Sequence, residues 1–263
     1  MTRLTCRVIA CLDVRDGAVV KGVQFEGLRT AGDPAALAAR YNADGVDELV
    51  MLDVSATLEG RRATAATIAR IAAELSVPFT VGGGIRSLDD ARIAFDAGAD
   101  KVAVNSAALA RPALLGEIAA RYGRQAVVLA IDAKWQDGVA RVFSRSATAD
   151  TAREAAEWAA QAEQIGAGEI LLTSIDHDGT RAGFDLDLIR AVRRAVGVPV
   201  IASGGAGSRE HFADVFAPGT DDGADAALAA SIFHYAEHGI TDLKRWLATQ
   251  GVPVRLPRGG TAC

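Results

Sequence analysis

The chain has 263 residues, half of them apolar and 23% charged, with a net charge of −5 and a pI near 5.4. That is the composition of a soluble globular protein with a sizeable core, one large α/β domain or two smaller ones. No run approaches the roughly 20 apolar residues of a membrane span, and "MTRLTCRVIACLD" meets an aspartate too early for a secretory signal, so the expected location is the cytoplasm. The mild acidity and the absence of a basic block argue against a nucleic-acid partner, while local basic clusters remain free to grip a small phosphorylated ligand. Cys6, Cys11 and Cys263 are odd in number and lack metal-type spacing, which predicts reduced thiols and no metal site.

In chain order, β-rich runs fall at 7–13, 48–53, 78–82, 101–105, 126–132, 169–174, 199–203 and 225–231. Alanine-rich helical stretches lie between them, among them 34–45, 87–98, 151–166 and 185–197, each ending in a glycine suited to a left-handed cap. Ser87 and Thr151 are placed to cap two of these helices at the N-terminus. Eight strands, each followed by a helix, in about 250 residues predict a (β/α)₈ TIM barrel, with a doubly wound open sheet as the alternative. An internal repeat favours the barrel. "VPFTVGGGIRS" (77–87) is echoed by "VPVIASGGAGS" (198–208), "ACLDV" by "LAIDA" and "GADKVAVNSA" by "GADAALAASI", all about 120 positions apart. Two four-strand halves, 1–122 and 123–256, would close on each other and leave no sheet edge. The tail 257–263 is expected to be disordered.

In such a barrel the active site is built at the C-terminal ends of the strands. The first and fifth runs end in Asp13 and Asp132. Period-two alternation puts Asp13 on the face of Ile9 and Cys11, and Asp132 on the face of Val128 and Ala130. If those faces line the interior, two carboxylates confront each other across the mouth as an acid/base pair; the plainer alternative is that each caps the next turn. Gly82, Gly83 and Gly84 after the third run, and Ser203, Gly204 and Gly205 after the seventh, let backbone N–H groups approach an anion ahead of a helix N-terminus. With Asn105 and Ser106 after the fourth run and Ser231 after the eighth, they describe two phosphate cradles, hence a ligand phosphorylated at both ends. Asp16-Gly17 predicts a hairpin carrying Lys21, read either as a lid cation or as a solvated lysine.

Arg7, Glu48, Lys101 and Glu169 open the first, second, fourth and sixth runs, and the parity of Arg7, Lys101 and Glu169 lets them point inward and close the barrel floor with Glu48. Ordinary surface charges are the alternative. His234 and His238 stand four apart without a ligand partner and are read as an exposed helix face, and His177 and His211 add nothing at metal spacing.

Taken together, "IACLDVRDGAVVKGVQFEGLRTAGDP", "VGGGIRS", "GADKVAVNSAA", "AIDAKWQDG", "GAGEILLTSIDHDGT", "IASGGAG" and "ADAALAASIFH" closely resemble the cyclase subunits of imidazole glycerol phosphate synthase, from about Arg7 to Leu256. The resemblance implies a cofactor-free lyase of histidine biosynthesis that converts the bisphosphate PRFAR and ammonia to imidazole glycerol phosphate and AICAR. It implies that Asp13 and Asp132 are catalytic and that Lys21 is the lid lysine. Substrate and phosphate contacts carry over to Asp53, Gly84, Asn105, Ser106, Thr173, Asp178, Gly179, Ser203, Gly205, Ala230 and Ser231. The charges Arg7, Glu48, Lys101 and Glu169 become an ammonia gate at the N-terminal face, where a partner glutaminase docks. One departure is an insertion at Gly219–Asp222, expected to bulge near that face. The alternatives are the sister barrel that isomerises the preceding pathway intermediate, and a barrel without catalysis that scaffolds a glutaminase; "CLDV", "VVKG" and "SIDHDGT" favour the cyclase over the isomerase.

Overall fold

The computed structural model describes residues 4–23, 26–54, 65–144, 149–217, 222–234 and 239–256, with all their side chains except those of 21–31 and 234. In chain order the elements are β1 (Arg7–Arg15), β2 (Ala18–Val23), β3 (Glu26–Gly32), α1 (Pro34–Ala43), β4 (Glu48–Asp53), α2 (Ala65–Ala72), β5 (Phe79–Gly82), α3 (Leu88–Asp96), β6 (Lys101–Val104), α4 (Ser106–Ala110) and α5 (Ala113–Tyr122). The second half follows with β7 (Val127–Gln136), β8 (Val139–Ser144), β9 (Ala149–Glu154), α6 (Ala155–Ile165), β10 (Glu169–Ser174), α7 (Leu186–Ala195), β11 (Val200–Ser203), α8 (Arg209–Phe216), β12 (Ala226–Ala229), α9 (Ser231–His234) and α10 (Ile240–Thr249).

Eight strands pair in parallel in the order β1, β4, β5, β6, β7, β10, β11, β12, and β12 pairs with β1. The ring is closed, which excludes the open sheet and gives the (β/α)₈ barrel. Alternation along each strand sorts the apolar residues into two layers. Ile9, Cys11, Val50, Ala103, Val128, Leu171, Ile201 and Leu228 form a small interior cluster, while Val8, Ala10, Leu12, Leu49, Met51, Leu129 and Ile131 face the helices in the larger outer core. Cys6 and Cys11 are thiols. No helix among the described residues is long and apolar enough to cross a membrane.

Each half extends its first strand into a hairpin. β1 turns into β2 at Asp16-Gly17 (φ 51° and 77°), as expected, and β7 turns into β8 at Asp137-Gly138 (φ 48° and 76°). Two positive φ angles are the signature of a tight turn whose twist matches the strands it joins. This second hairpin displaces the expected cap at Thr151. The residue lies in β9, its hydroxyl donates to the Val142 carbonyl at 2.7 Å, and α6 starts only at Ala155. Ser87 does cap α3, accepting from the Asp90 amide at 3.1 Å. Of the four expected terminal glycines, Gly45, Gly98 and Gly166 take positive φ and Gly197 does not, because α7 has already ended before Val196 in extended backbone.

The barrel is closed at its seam by charge as well as by β12. Asp44, which ends α1, accepts from the Ile240 and Thr241 amides at 2.6 and 3.3 Å and so caps α10 from outside the helix. Lys244 of α10, only 1% exposed, reaches Asp47 at 2.8 Å and the Gly45 carbonyl at 2.9 Å.

Candidate functional site

Asp13 and Asp132 sit near the C-terminal ends of β1 and β7, opposite Leu52 and Thr173 of their neighbours, and both line one pocket at the barrel mouth. Their surroundings differ. The Cys11 thiol lies 3.6 Å from Asp13 Oδ1, whereas Asn105 Nδ2 donates to Asp132 Oδ2 at 2.9 Å. Removal from bulk water pushes the Asp132 carboxyl up to about 6; the Asn105 hydrogen bond pulls it down and the charge of Asp178 adds to the rise. A carboxyl group in that range can both hold and release a proton near neutral pH.

On either side of this pair lies a glycine turn. Gly83 and Gly84 (φ 86° and 75°) follow β5 and lead to α3; Gly204 and Gly205 (φ 92° and 98°) follow β11 and lead to α8. A Cβ on Gly83 would overlap the Asp53 carbonyl, and one on Gly205 would overlap the Gly183 carbonyl, so both turns depend on glycine for packing as well as for conformation. Of the residues singled out in the sequence, Asp53, Gly84, Asn105 and Ser106 line a pocket on the β5–β6 side. Asp178, Gly179, Ser203, Gly205, Ala230 and Ser231 line the other side with Asp13, and Asp132 and Thr173 border both. Ser106 and Ser231 open the short helices α4 and α9. Backbone pairing places Lys21 on β2 opposite Arg29; its side chain, like His238, residues 218–221 and the tail, lies outside the described residues.

Three cations were missed in the sequence reading. Arg86 and Arg111 line the first side and Arg181, with φ 62°, the second. Arg86 directly follows Ile85 at the end of the glycine turn and was legible there; Arg111 and Arg181 carry no local signal.

At the opposite end the four strand-opening charges do converge. Arg7 donates to Glu48 at 2.9 Å and to Glu169, and Lys101 reaches Glu48 at 2.9 and 3.0 Å and Glu169 at 2.7 Å. Thr80 adds a hydroxyl to Glu48 at 2.8 Å. Each cation bridges both carboxylates, so the ring closes the barrel floor. Burial would lower Arg7, but Glu169 and then Glu48 hold it above its ordinary value. Removing one member would strand a buried partner, at about 3–5 kcal/mol. A groove on this face runs from Arg7, Lys101 and Glu169 of the ring to Leu4, Pro199 and Phe216, and Asp222, at the end of the insertion, pairs with Arg194 at 3.1 Å.

Residues 7–239 match the family model described as "Histidine biosynthesis protein". The chain is 59% identical over 254 residues to the imidazole glycerol phosphate synthase subunit HisF of Acidobacterium capsulatum, covering 97% of this chain and 99% of that one. Identity is 51% over 253 residues with the HisF subunit of Pyrococcus furiosus (96% and 99% covered) and 54% over 254 residues with that of Geobacillus thermodenitrificans (96% and 100%). With the closed barrel and this similarity over nearly the full length, the chain belongs to the HisF subunit family of imidazole glycerol phosphate synthase, an enzyme of histidine biosynthesis.

Proposed function

We propose that this chain performs the cyclase reaction, in which PRFAR and ammonia yield imidazole glycerol phosphate, AICAR and water, by acid/base catalysis at Asp13 and Asp132. The observation that carries it is the pair of carboxyl groups at the ends of β1 and β7 in one mouth, flanked by two glycine turns at symmetric positions. The two phosphates anchor in the two cradles, one near Gly84, Asn105 and Ser106, the other near Gly179, Ser203, Gly205, Ala230 and Ser231. That stretches the substrate between the aspartates, with Asp53, Thr173 and Asp178 along its length and Lys21 over it. Positioning alone accounts for a large part of a rate enhancement when both ends are fixed. One carboxyl group promotes attack of ammonia on the ribulose-derived carbonyl and loss of water. The pair then moves protons during closure of the ring and cleavage of the C–N bond that releases AICAR. The Asp132 carboxyl, pushed up to about 6 by its removal from water, is suited to exchanging protons in these steps.

Ammonia comes from a partner glutaminase on the N-terminal face. The ring of Arg7, Glu48, Lys101 and Glu169 gates its entry, and the interior cluster around Ile9, Val50 and Val128 separates the gate from the aspartates. The chain acts in the cytoplasm as one barrel over 1–256, built of halves 1–122 and 123–256.

The test is turnover of PRFAR by the purified chain with ammonium salt at alkaline pH, following the loss of its absorbance and identifying the products. Imidazole glycerol phosphate and AICAR are expected, at a rate about a thousandfold lower in Asp13→Asn and in Asp132→Asn. Isomerisation of the preceding intermediate instead of this reaction would assign the chain to the sister enzyme, and ligand binding without any product would leave a scaffold.

A further inference from the structure

The loop 175–185 joins β10 to α7 and carries Asp178 and Gly179 into the mouth. Both of its ends are held by one residue from another element. Trp135, three positions beyond Asp132 on β7, donates its backbone N–H to Asp176 Oδ2 at 2.9 Å and its indole Nε1–H to Asp185 Oδ2 at 2.9 Å. Asp185 is 6% exposed; Ser174 donates to the same oxygen at 3.0 Å, and the other oxygen caps α7 through the Leu188 amide at 3.0 Å. Between those ends the loop is internally braced. The His177 ring lies 2.6 Å from the Gly183 carbonyl, and the Gly183 amide donates to the Gly205 carbonyl at 2.9 Å. The strand that carries Asp132 therefore grips the loop that carries Asp178.

We propose that Trp135 is a positioning residue: through Asp176 and Asp185 it fixes the 175–185 loop so that Asp178 stays beside Asp132 in the mouth. A tryptophan suits this task because it spans the gap with a rigid ring and ends in a donor, and a buried carboxylate oxygen deprived of that donor is costly to leave in place. The catalytic meaning of the arrangement rests on the acid/base reading of Asp132 given above. The geometric claim does not.

The variant is Trp135→Phe, which keeps the ring and removes only the indole donor. The readout is the titration of the Asp132 carboxyl followed by ¹³C NMR and assigned by its loss in Asp132→Asn, with thermal midpoints alongside. Asp178 contributes to raising Asp132, so loosening the loop lowers that midpoint. A fall of about half a pH unit is expected, smaller than the fall in Asp178→Asn, together with a drop in kcat of about tenfold. An unmoved Asp132 midpoint in Trp135→Phe overturns the positioning role, whatever happens to kcat or to thermal stability. A parent Asp132 that titrates in the ordinary carboxylate range overturns it as well. A lowered midpoint in a chain that turns over no PRFAR would sink the cyclase reading and leave the positioning role standing.

Discussion

The two halves of the barrel repeat their positions and differ in their surroundings. β1 and β7 each carry an inward aspartate in their C-terminal half and continue into a hairpin with an Asp-Gly turn; β5 and β11 are each followed by a pair of left-handed glycines. Yet Asp13 has the Cys11 thiol beside it, while Asp132 takes a hydrogen bond from Asn105 and feels Asp178. The Asp-Gly turn begins three residues beyond Asp13 but five beyond Asp132, and the longer arm holds Trp135. Repetition supplies two carboxyl groups and two glycine turns at matching positions. The difference between the carboxyl groups comes from the neighbours that the repeat does not copy.

The strongest way to break that view is to neutralise the two aspartates in turn. Either Asp13→Asn or Asp132→Asn should lower kcat by about a thousandfold with little change in substrate binding. Asp132→Asn should also change stability with a defined sign. The Asp132 carboxyl rises from 3.8 to about 6 on folding. Its contribution to stability is therefore complete below about pH 4 and lost as pH rises through 6, where the folded state must hold a poorly hydrated charge. Asparagine removes that burden. A gain of about 1–2 kcal/mol is expected at pH 8, after allowance for residual solvent access, fading to nothing near pH 4. Urea denaturation of parent and variant at both pH values measures it, and a gain that does not depend on pH would mean the carboxyl group is not the source.

The glycine turns test the symmetric side of the comparison. Gly83→Ala and Gly205→Ala each force a side chain into left-handed backbone and into the carbonyl of Asp53 or Gly183, so each should lose about 3 kcal/mol of stability. On the proposal that each turn holds one phosphate, each should also raise the KM for the bisphosphate about tenfold or more. If only one of the two raised KM, the ligand would be anchored at one end alone.

The parts legible in the sequence are those fixed by short-range pattern. Alternation along "RVIACLD" and "AVVLAID" grouped Asp13 with Ile9 and Cys11, and Asp132 with Val128 and Ala130; with apolar residues on both faces it left open which face is inward, and the structure puts these neighbours in the interior cluster. The parity of Arg7, Lys101 and Glu169 likewise left room for an inward floor ring beside plain surface charges, and the structure closes that ring through six hydrogen bonds among Arg7, Lys101, Thr80, Glu48 and Glu169. Residues whose partners are distant in sequence stayed hidden. Nothing in "KWQDG" says that Trp135 meets Asp185, nor in "NADG" that Asp44 caps a helix at Ile240. Thr151 failed for the same reason: its local sequence suits a cap, but the β8–β9 pairing claims its hydroxyl.

The smallest expected effect lies at a position that the halves fill with different chemistry. Ahead of α3 the Arg86 amide donates to Asp90 Oδ2 at 3.0 Å, and ahead of α8 the Gly207 amide donates to His211 Nδ1 at 3.2 Å. A carboxylate brings both an acceptor and a favourable negative charge to a helix N-terminus. The imidazole of His211 brings only the Nδ1 acceptor. His211→Asp should therefore give α8 the charge that α3 already has and raise stability by about 0.5–1 kcal/mol, and Asp90→His should lower it by a similar amount in the first half. Thermal unfolding of parent and both variants reads this directly. Equal midpoints for all three would mean that the side chain at this position, unlike the neighbours of the two aspartates, makes no difference between the halves.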